Sequence, residues 1–506
     1  MSLKKRLTAV GIIAIAAALT FGVAKSGRQI TEKQETPAFT KEKDTLYLWY
    51  TDEALTSYLS SAAVAYNESH DIRVVPVLES GLEYLEKINQ SSLETNAPDL
   101  YILGHDSLEK AYLAGLAEEV APKEMVMEDT FIGTGLQAVT YKDKLIGYPF
   151  YFETSALLYN KTYLRDMAKN RLEAEAVQAQ EEAGLLEDEY IEAQENAKAA
   201  EDGEQSAASV ETQEEQFSEE EINAKMQELL PDTIEDIKTF ANSYDAPLQV
   251  EGVFKWDVTD IFYNYFFIGD AINMGGEAGW DTAQIDIYNE NAIRSMQAYQ
   301  ELNQFFSIDT SEISYEGVLD EFMAGKMVFT VATTDAIFAL EHAAADGLFE
   351  YEYGIAMAPN VDDEMQTRPL SMTSCIAING YSENKEAAND FAKYLTTEYI
   401  DILYARTGKV SASQNVDYGY EALEQFAAEY AKSISMPKML ETSNFWVLLE
   451  VAFSEVWNGA DANEELKLLS EQMKSQITGE AYQEEHIEVI EEEQGEVEYS
   501  EEYYEE

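Results

Sequence analysis

Residues 44 to 104 alternate between strand-like and helix-like runs, and this order limits the fold more than any other feature. The runs TLYLWY, IRVVPVL and PDLYILG are rich in apolar, β-branched and aromatic residues, which favours buried strands. Between them, SYLSSAAVAYNES and GLEYLEKINQSSLET place apolar residues at helical spacing. The order βαβαβ predicts an α/β fold with a largely parallel sheet. Because ligands bind such sheets beyond the carboxyl ends of the strands, YTDEA (50–54) and GHDS (104–107) are candidate ligand loops.

The charge of the chain limits its partners. Lys and Arg number 33 and Asp and Glu number 97, so the formal net charge is −64. Nucleic acids and anionic lipids need basic patches, and this balance argues against both of them. The field also disfavours an anionic ligand, which leaves neutral or cationic ones. The apolar content of 46% is normal for a globular protein.

Neither a metal nor a cofactor is expected. The only cysteine, Cys375, precedes the apolar run IAING and is expected to be a buried, inert thiol. The four histidines are scattered through the chain and form no HExxH motif or Cys/His cluster, so a zinc site is not expected.

The N-terminus has the pattern of an export segment. Lys4, Lys5 and Arg6 precede an apolar stretch that ends near Ala24. The stretch could be a cleaved signal peptide or a retained membrane anchor, and in both cases the body of the chain is expected outside the cytoplasm. No cysteine follows it, so a lipoprotein signal is not expected. We therefore interpret residues 1–25 as signal or anchor and 26–43 as a linker.

Two segments hold much of the acidic charge. Residues 166–230 contain 20 acidic and four basic residues, and residues 481–506 contain twelve acidic residues and no basic one. In the first segment, Ser218 and Glu221 predict a capping box for a helix that Pro231 stops. This segment could be a solvated insertion in a surface loop or a hairpin that docks a partner. The second segment is expected to be a disordered tail.

Several motifs, in their order, resemble the maltose-binding-like family of extracellular sugar-binding proteins of ABC importers. The similarity begins at LYLWYTDEALTSYLSSAAVAYNESHDIRVVPV and continues through APDLYILGHDSLEKAYLAGLAEEV. It is strongest at AVTYKDKLIGYPFYFETSALLYNKTYL. Similar motifs follow at TIEDIKTFA, FMAGKMVFTVATTDAI, TSCIAINGYSENKEAANDFAKYL and SNFWVLLEVAFSEV. The resemblance covers about 44–165 and 231–480 and leaves out the two acidic segments.

The resemblance implies a two-lobed α/β fold of the periplasmic-binding-protein type (type II), with crossover hinge strands and, in this chain, an acidic helical insertion. Lobe one is expected at 44–150 and 376–408, and lobe two at 154–371 and 412–480, with the insertion 166–230 in lobe two. The first crossover would run through Tyr148–Phe152. A ligand would lie between the lobes and be trapped when they close about the hinge.

The resemblance also implies carboxylates that accept hydrogen bonds from sugar hydroxyls. Glu53, Asp106 and Glu153 match ligand carboxylates of the family, and Asp52 lies beside them at the end of the first strand. Two departures from the family pattern are Ala54, where a lysine is usual, and Ser107, where an arginine is frequent. Asp335 stands with Thr333 and Thr334 where maltodextrin binders carry a second stacking tryptophan, so the resemblance does not extend to this contact with long maltodextrins.

Aromatic rings are expected to cover the apolar faces of a sugar. Trp446, in ETSNFWVLLEV, matches a stacking tryptophan of the family. Tyr50 could stack on a sugar or pack in the core. Trp256 and Tyr263 belong to FKWDVTDIFYNYFF (254–267), in the family's lobe-two sugar region, although a stripe at this spacing is more often core.

The expected function is capture of a neutral oligosaccharide, maltose- or maltodextrin-like or related, for a membrane ABC permease. A monomer is expected, and nucleic acid is not a partner. GxSxG and Walker A motifs are absent, as is a GxGxxG following a strand, so no enzyme is predicted. Two alternatives remain: a cell-surface scaffold or adhesin that uses the acidic segments, and a glycoside hydrolase with a carboxylate pair.

Overall fold

A computed structural model describes residues 44–489, except 93, 95, 121, 183–216 and 307, and for 180–182 it describes the backbone alone. The strands are β1 Asp44–Tyr50, β2 Ile72–Leu78, β3 Leu100–Gly104, β4 Thr140–Tyr141, β5 Lys144–Leu145, β6 Tyr148–Asn160, β7 Gly252–Phe254, β8 Asn273–Met274, β9 Ile285–Asp286, β10 Met327–Thr333, β11 Tyr353–Ala356, β12 Leu370–Ile378, β13 Val410–Ser411 and β14 Ile434–Ser435.

The helices are α1 Thr56–Ser69, α2 Tyr84–Ser91, α3 Leu108–Leu113, α4 Gly133–Ala138, α5 Lys161–Glu182, α6 Glu219–Leu229, α7 Ile234–Ser243, α8 Ile261–Asn264, α9 Glu290–Phe306, α10 Tyr315–Met323, α11 Asp335–Ala345, α12 Lys385–Thr396, α13 Leu403–Thr407, α14 Glu421–Lys432, α15 Phe445–Trp457 and α16 Ala462–Thr478. Short 3₁₀ helices are Glu53–Leu55, His105–Ser107, Tyr265–Phe267, Ile400–Ile402 and Leu440–Thr442.

One sheet runs through the body in the order β2-β1-β3-β12-β6-β10-β7. β1 and β3 are parallel, which confirms the predicted βαβαβ start. Alternate side chains of β1 enter different clusters: Leu46 and Leu48 pack on one face, and Trp49 packs on the other. Both faces of this half of the sheet are therefore buried, as the near-continuous apolar strand sequences require.

Two long strands, β6 and β12, connect the two halves of the sheet. The first half contains β2, β1 and β3, and the second half contains β10 and β7. The start of β6 pairs with β12, whereas its end, from Ser155 to Asn160, pairs with β10 and β11. β12 in turn pairs with β3 through its C-terminal residues. The second half of the sheet is also covered on both faces, because Leu157 and Leu158 of β6 enter different core clusters. β6 and β12 thus belong to both halves.

A third connection between the halves lies near the C-terminal end of the body. Residue 412 was the expected start of a lobe-two segment. Ala412 N donates to the Phe150 carbonyl (3.0 Å) and Ser413 Oγ to the Thr130 carbonyl (3.1 Å), both in the first half. Ala412 also packs in one core cluster with Leu158 and Ile337 of the second half, and α14, which follows, packs on β11.

Lys438, which follows β14, also bonds to both halves. Its buried ammonium donates to the carbonyls of Gln137 (3.3 Å) and Thr140 (3.1 Å) in the first half and of Ala278 in the second. Burial lowers the pKa of Lys438 to about 7. The backbone N–H of Lys438 also donates to Gly279 O (2.8 Å), so this residue joins both halves by side chain and backbone.

The helices at the two ends of the acidic insertion belong to the folded body. α6 begins at the predicted capping box, in which Ser218 and Glu221 bond reciprocally, and it ends at Leu229, which confirms the prediction from Ser218 and Pro231. α6 packs on α5, and Ile222 and Met226 are buried in the core. Residues 219–229 are therefore packed against the body and are not a solvated surface loop. Residues 183–216 lie outside the described residues.

The start of the C-terminal segment is bound to α16, so the prediction of disorder from 481 is wrong for residues 481–489. Glu484 pairs with Lys474 (2.6 Å) and accepts from Ser470 Oγ (2.6 Å). The Ile487 carbonyl accepts from Asn463 Nδ2 (2.7 Å), and Ile487 and Val489 pack against the main core. Residues 490–506 lie outside the described residues.

Truncation after Glu480 should lower the free energy of unfolding by roughly 1–3 kcal/mol relative to truncation after Val489, because it exposes the apolar surface under Ile487 and Val489. Urea denaturation of the two truncated chains measures the difference. Equal midpoints would show that residues 481–489 add no stability.

The predicted export segment and linker, 1–43, lie outside the described residues. Among the residues that are described, no helix combines the length and the apolar character that crossing a membrane requires.

Candidate ligand-binding site

The candidate site is built on one face of the sheet where β6 and β12 pair. Tyr151 and Glu153 lie on the same face of β6 because they are two residues apart. Ser374 and Met372 of β12 are their cross-strand partners, and all three of Glu153, Met372 and Ser374 are half-buried. The intervening residue Phe152 points the other way, into the core. This face is the floor of the site.

Asp106 stands at the edge of the floor, in the 3₁₀ helix that follows β3. A Cβ added to Gly104 would lie 2.6 Å from Asp106 Oδ1 and 3.4 Å from Met372 Sδ, so the carboxylate bends over Gly104 towards β12. The side chain is exposed, yet the surrounding protein removes much of its water and raises the pKa of Asp106.

His105 anchors the turn that carries Asp106, and sequence reasoning missed it. Its buried ring accepts from Thr373 N at Nδ1 (3.0 Å) and donates from Nε2 to the Met436 carbonyl (2.8 Å). Burial lowers its pKa to about 3, so the ring is neutral and this pair of bonds defines its tautomer. The sequence did contain a signal for this role, namely a histidine directly before the acidic residue that follows β3.

Glu153 joins the floor to the second half of the molecule. Thr334 Oγ1 donates to its carboxylate, and Asp335 follows directly at the start of α11. Burial raises the pKa of Glu153, while the Thr334 bond and the nearby Lys409 ammonium act in the opposite direction. The predicted Glu153 and Asp335 are therefore brought together in the fold.

Asp52 pairs with Lys409, which lies at the same floor. Lys409 was not among the residues predicted from the sequence. Asp52 caps the 3₁₀ helix after β1 by accepting from Ala54 N (2.9 Å). Its other oxygen lies 3.2 Å from Lys409 Nζ, and this nitrogen is 5.5 Å from the centre of the Tyr151 ring. Lys409 precedes β13, which pairs with β6 at Tyr151, and this tertiary pairing is what brings the lysine here.

A pair of stacked tyrosines stands beside Asp335. The rings of Tyr263 and Tyr315 are 4.7 Å apart and nearly parallel, and Tyr315 donates its hydroxyl to Asp335 Oδ1 (3.0 Å). Burial raises the pKa of both tyrosines, so both are neutral phenols at ordinary pH. Tyr263 was predicted; Tyr315, in a region without a motif, was not.

Trp446 occupies the first turn of α15, a helix that also packs on α8, the element that carries Tyr263. Its ring is half-buried and lies 5.7 Å from Tyr265 and 5.1 Å from Phe445. Part of the indole therefore remains open to solvent in the second half of the molecule.

Two other predicted site residues are buried in the core, and a third, Glu53, is exposed beside Asp52. Trp256 is 0% exposed, stacks on Phe254 and donates from Nε1 to Asn264 Oδ1 (2.8 Å), so it has no free face and is a core residue. Tyr50 is 2% exposed and donates to Thr56 Oγ1 (3.1 Å), so core packing is its role as well. Glu53 is exposed in the 3₁₀ helix after Asp52.

The assembled group combines hydrogen-bond acceptors with rings. Asp52, Asp106, Glu153 and Asp335 supply carboxylate oxygens, which accept from hydroxyl groups, and Lys409 supplies N–H donors. The described residues include no set of three or more histidine, cysteine or acidic side chains placed to hold a metal ion.

Comparisons with known proteins agree with this architecture. A family model described as "Bacterial extracellular solute-binding protein" matches residues 61–438, which is more than half of the chain. A galactooligosaccharide-binding protein of Bacillus subtilis is 20% identical over 476 residues, which cover 92% of this chain and 96% of the relative.

Solved structures show the same fold. An extracellular solute-binding protein from Staphylococcus aureus in complex with maltose superposes with a TM-score of 0.64 at 18% identity, covering 86% of this chain and 97% of its own. A cyclo/maltodextrin-binding protein complexed with maltotetraose gives 0.64 at 19% identity, with 88% and 99% covered. The predicted two-lobed α/β fold is thereby confirmed. The extent of the family match shows that this chain belongs to the bacterial extracellular solute-binding proteins.

Proposed function

We propose that this protein captures a neutral oligosaccharide between its two lobes and delivers it to the membrane permease of an ABC importer. The site would lie on the floor formed by β6 and β12, with Asp52, Asp106, Glu153 and Asp335 as hydrogen-bond acceptors. Tyr263, Tyr315 and Trp446 would cover the apolar faces of the sugar rings.

The observation that carries this proposal is the match between the group's chemistry and that of a sugar. Hydroxyl groups need acceptors, and Glu153 and Asp106 offer carboxylate oxygens on one floor. The weakly polar C–H faces need rings, and aromatic side chains lie on the second-half side of that floor. The names and ligands of the similar proteins, galactooligosaccharide, maltose and maltotetraose, support the same class.

The division into lobes is part of the proposal. Lobe one would comprise the half-sheet β2-β1-β3 with its helices, and lobe two the half-sheet β6-β10-β7 with its helices. Strands β6 and β12 and the segment around Lys438 would form the hinge. Because the four carboxylates come from both lobes and from the hinge, a ligand that touches them all would favour the closed form.

The exported location, the permease partner, the monomeric state and the absence of catalysis are also proposed. Asp106 and Glu153 could be read as a glycosidase pair, but binding proteins, not enzymes, are the similar proteins. A surface scaffold that uses the acidic insertion is the other alternative. The melting and capture experiments below distinguish a binding protein, a hydrolase and a scaffold.

Thermal melting of residues 41–489 with maltose, maltotetraose and a galactooligosaccharide tests the proposal. A binder should gain melting temperature with ligand concentration by mass action and return the sugar intact. Appearance of shorter sugars on long incubation would show hydrolysis instead. A melt that no sugar shifts, together with partner capture that is lost on deletion of 183–216, would establish a scaffold.

Replacing Trp446 with alanine should weaken sugar binding by roughly 1–3 kcal/mol, since a stacking face is removed from an interface. Stability should change little by comparison, because the ring is only half-buried. Calorimetric titration with the sugar that gives the largest thermal shift measures the effect. Unchanged affinity would remove Trp446 from the site.

A further inference from the structure

Lys409 is the cation that the described contacts bring to the floor of the site. Asp52, Asp106, Glu153 and Asp335 are acceptors when ionised, whereas an ammonium carries three N–H donors and no acceptor. The floor would otherwise offer the ligand mainly acceptors. The position of Lys409 therefore decides where a ligand oxygen can accept a charged hydrogen bond.

The lysine is held on two sides. Asp52 Oδ2 lies 3.2 Å from Nζ, and the Tyr151 ring lies beneath it with its centre 5.5 Å away. The side chain is half-buried, and β13, which directly follows Lys409, pairs with β6 at Phe152 and Tyr151. An ammonium held by one carboxylate and one ring keeps N–H donors for a further partner, with little conformational entropy left to lose.

Glu153 lies on the same strand face as Tyr151, two residues further along. The positive charge of Lys409 acts to lower the pKa of the Glu153 carboxyl. A donor and an acceptor that share one floor suit two neighbouring hydroxyls of a sugar ring. One hydroxyl can donate to Glu153 while the oxygen of the next accepts from Lys409. This arrangement uses both capacities of the hydroxyl group.

We propose that Lys409 is a ligand-binding and specificity-determining residue, whose ammonium donates to a sugar hydroxyl oxygen next to the hydroxyl bound by Glu153. The proposal rests on the proposed function. It adds a ligand requirement: two adjacent free hydroxyls on the sugar ring that occupies the floor.

Lys474 is a matched control for Lys409. It is also half-buried, pairs with one carboxylate, Glu484 (2.6 Å), and lies 5.0 Å from the centre of a tyrosine ring, Tyr482. It differs in its place, on α16 beside the C-terminal segment. Loss of the ammonium at either position should thus have similar effects on folding and different effects on binding.

Calorimetric titration of Lys409→Met, Lys409→Arg and Lys474→Met with maltotetraose and with β-1,4-galactotriose tests the proposal. Lys409→Met should weaken binding about ten- to hundredfold, the effect of losing a charged hydrogen bond. Lys409→Arg keeps the charge and donors and should retain more affinity than Lys409→Met. Lys474→Met should bind as the wild type does.

A second measurement uses the wild-type protein. Bound sugar should slow acylation of Lys409 by a small amine-reactive reagent, as followed by peptide mass spectrometry, and leave Lys474 unaffected. If the wild type binds a probe but Lys409→Met binds equally well, or Lys409 is not protected, the role of Lys409 is overturned and the proposed function stands. If the wild type binds neither probe, the oligosaccharide function itself fails, and the sugar contact of Lys409 with it.

Discussion

Replacing Trp256 with alanine is expected to lower the free energy of unfolding by about 3–5 kcal/mol, the range for removing a large buried aromatic side chain. The indole is 0% exposed and lies in the main core, stacked on Phe254 and edge-on to Trp457 with 5.7 Å between ring centres. The substitution also leaves Asn264 Oδ1 without the donor that Nε1 provides. Urea denaturation measures the loss.

The control for this prediction is Trp446→Ala, which should show the opposite pattern. Trp256→Ala should lose stability and keep its sugar affinity at temperatures where it is folded, whereas Trp446→Ala should lose affinity and keep most of its stability. A specific loss of sugar affinity in folded Trp256→Ala would return this residue to the ligand site and contradict its assignment to the core.

Glu153→Gln should weaken sugar binding by roughly 1.5–3 kcal/mol, the size of a hydrogen bond to a charged acceptor. The amide keeps the shape of the side chain and can still accept from Thr334, so the floor of β6 and β12 should remain intact. Calorimetric titration near neutral pH, with the sugar that gives the largest thermal shift, measures the effect. Glu386→Gln, at an exposed salt bridge to Lys123, is a control that should leave affinity unchanged.

The pH dependence gives a second readout for Glu153. Burial raises its pKa, so the affinity of the wild type should fall as the pH is lowered, starting at a higher pH than for an ordinary glutamate. Stability should respond in the opposite sense. A carboxyl whose folded pKa lies above its unfolded pKa contributes stability at low pH that is lost as the pH rises through the folded pKa.

Glu153→Gln should therefore be stabilised relative to the wild type as the pH rises, while it binds more weakly. Melting curves and titrations across the acid range measure both trends. Parallel pH profiles of the wild type and Glu153→Gln would show that this carboxyl does not titrate in the site.

Local patterns predicted the parts of the fold that depend on neighbours in sequence. The βαβαβ start follows from strand and helix periodicity, and the α6 capping box follows from Ser218 and Glu221. The start of the C-terminal segment did not follow. Its acidic composition suggested disorder, but Asn463 and Lys474 provide partners that composition alone does not reveal.

The candidate site was found only in part. Asp106 follows a strand end, where both the topology and the family resemblance indicate a ligand, whereas Glu153 comes from the family resemblance alone. Lys409 and Tyr315 lie outside such positions and reach the site through pairings with distant segments, β13 with β6 and the Tyr315 hydroxyl with Asp335. These contacts join residues that are not neighbours in the sequence, so no local motif indicates them.

The sequence by itself determined the fold class and the family, and it predicted a set of carboxylates and rings suited to a sugar, because these depend on residue type, periodicity and motif order. The tertiary structure alone decided which of two similar tryptophans is buried. Trp256 and Trp446 both lie in aromatic, helix-rich stretches. Their exposure depends on Trp457 and Phe254 closing over one indole while the other stays at the surface of α15, and this packing brings together segments about 200 residues apart.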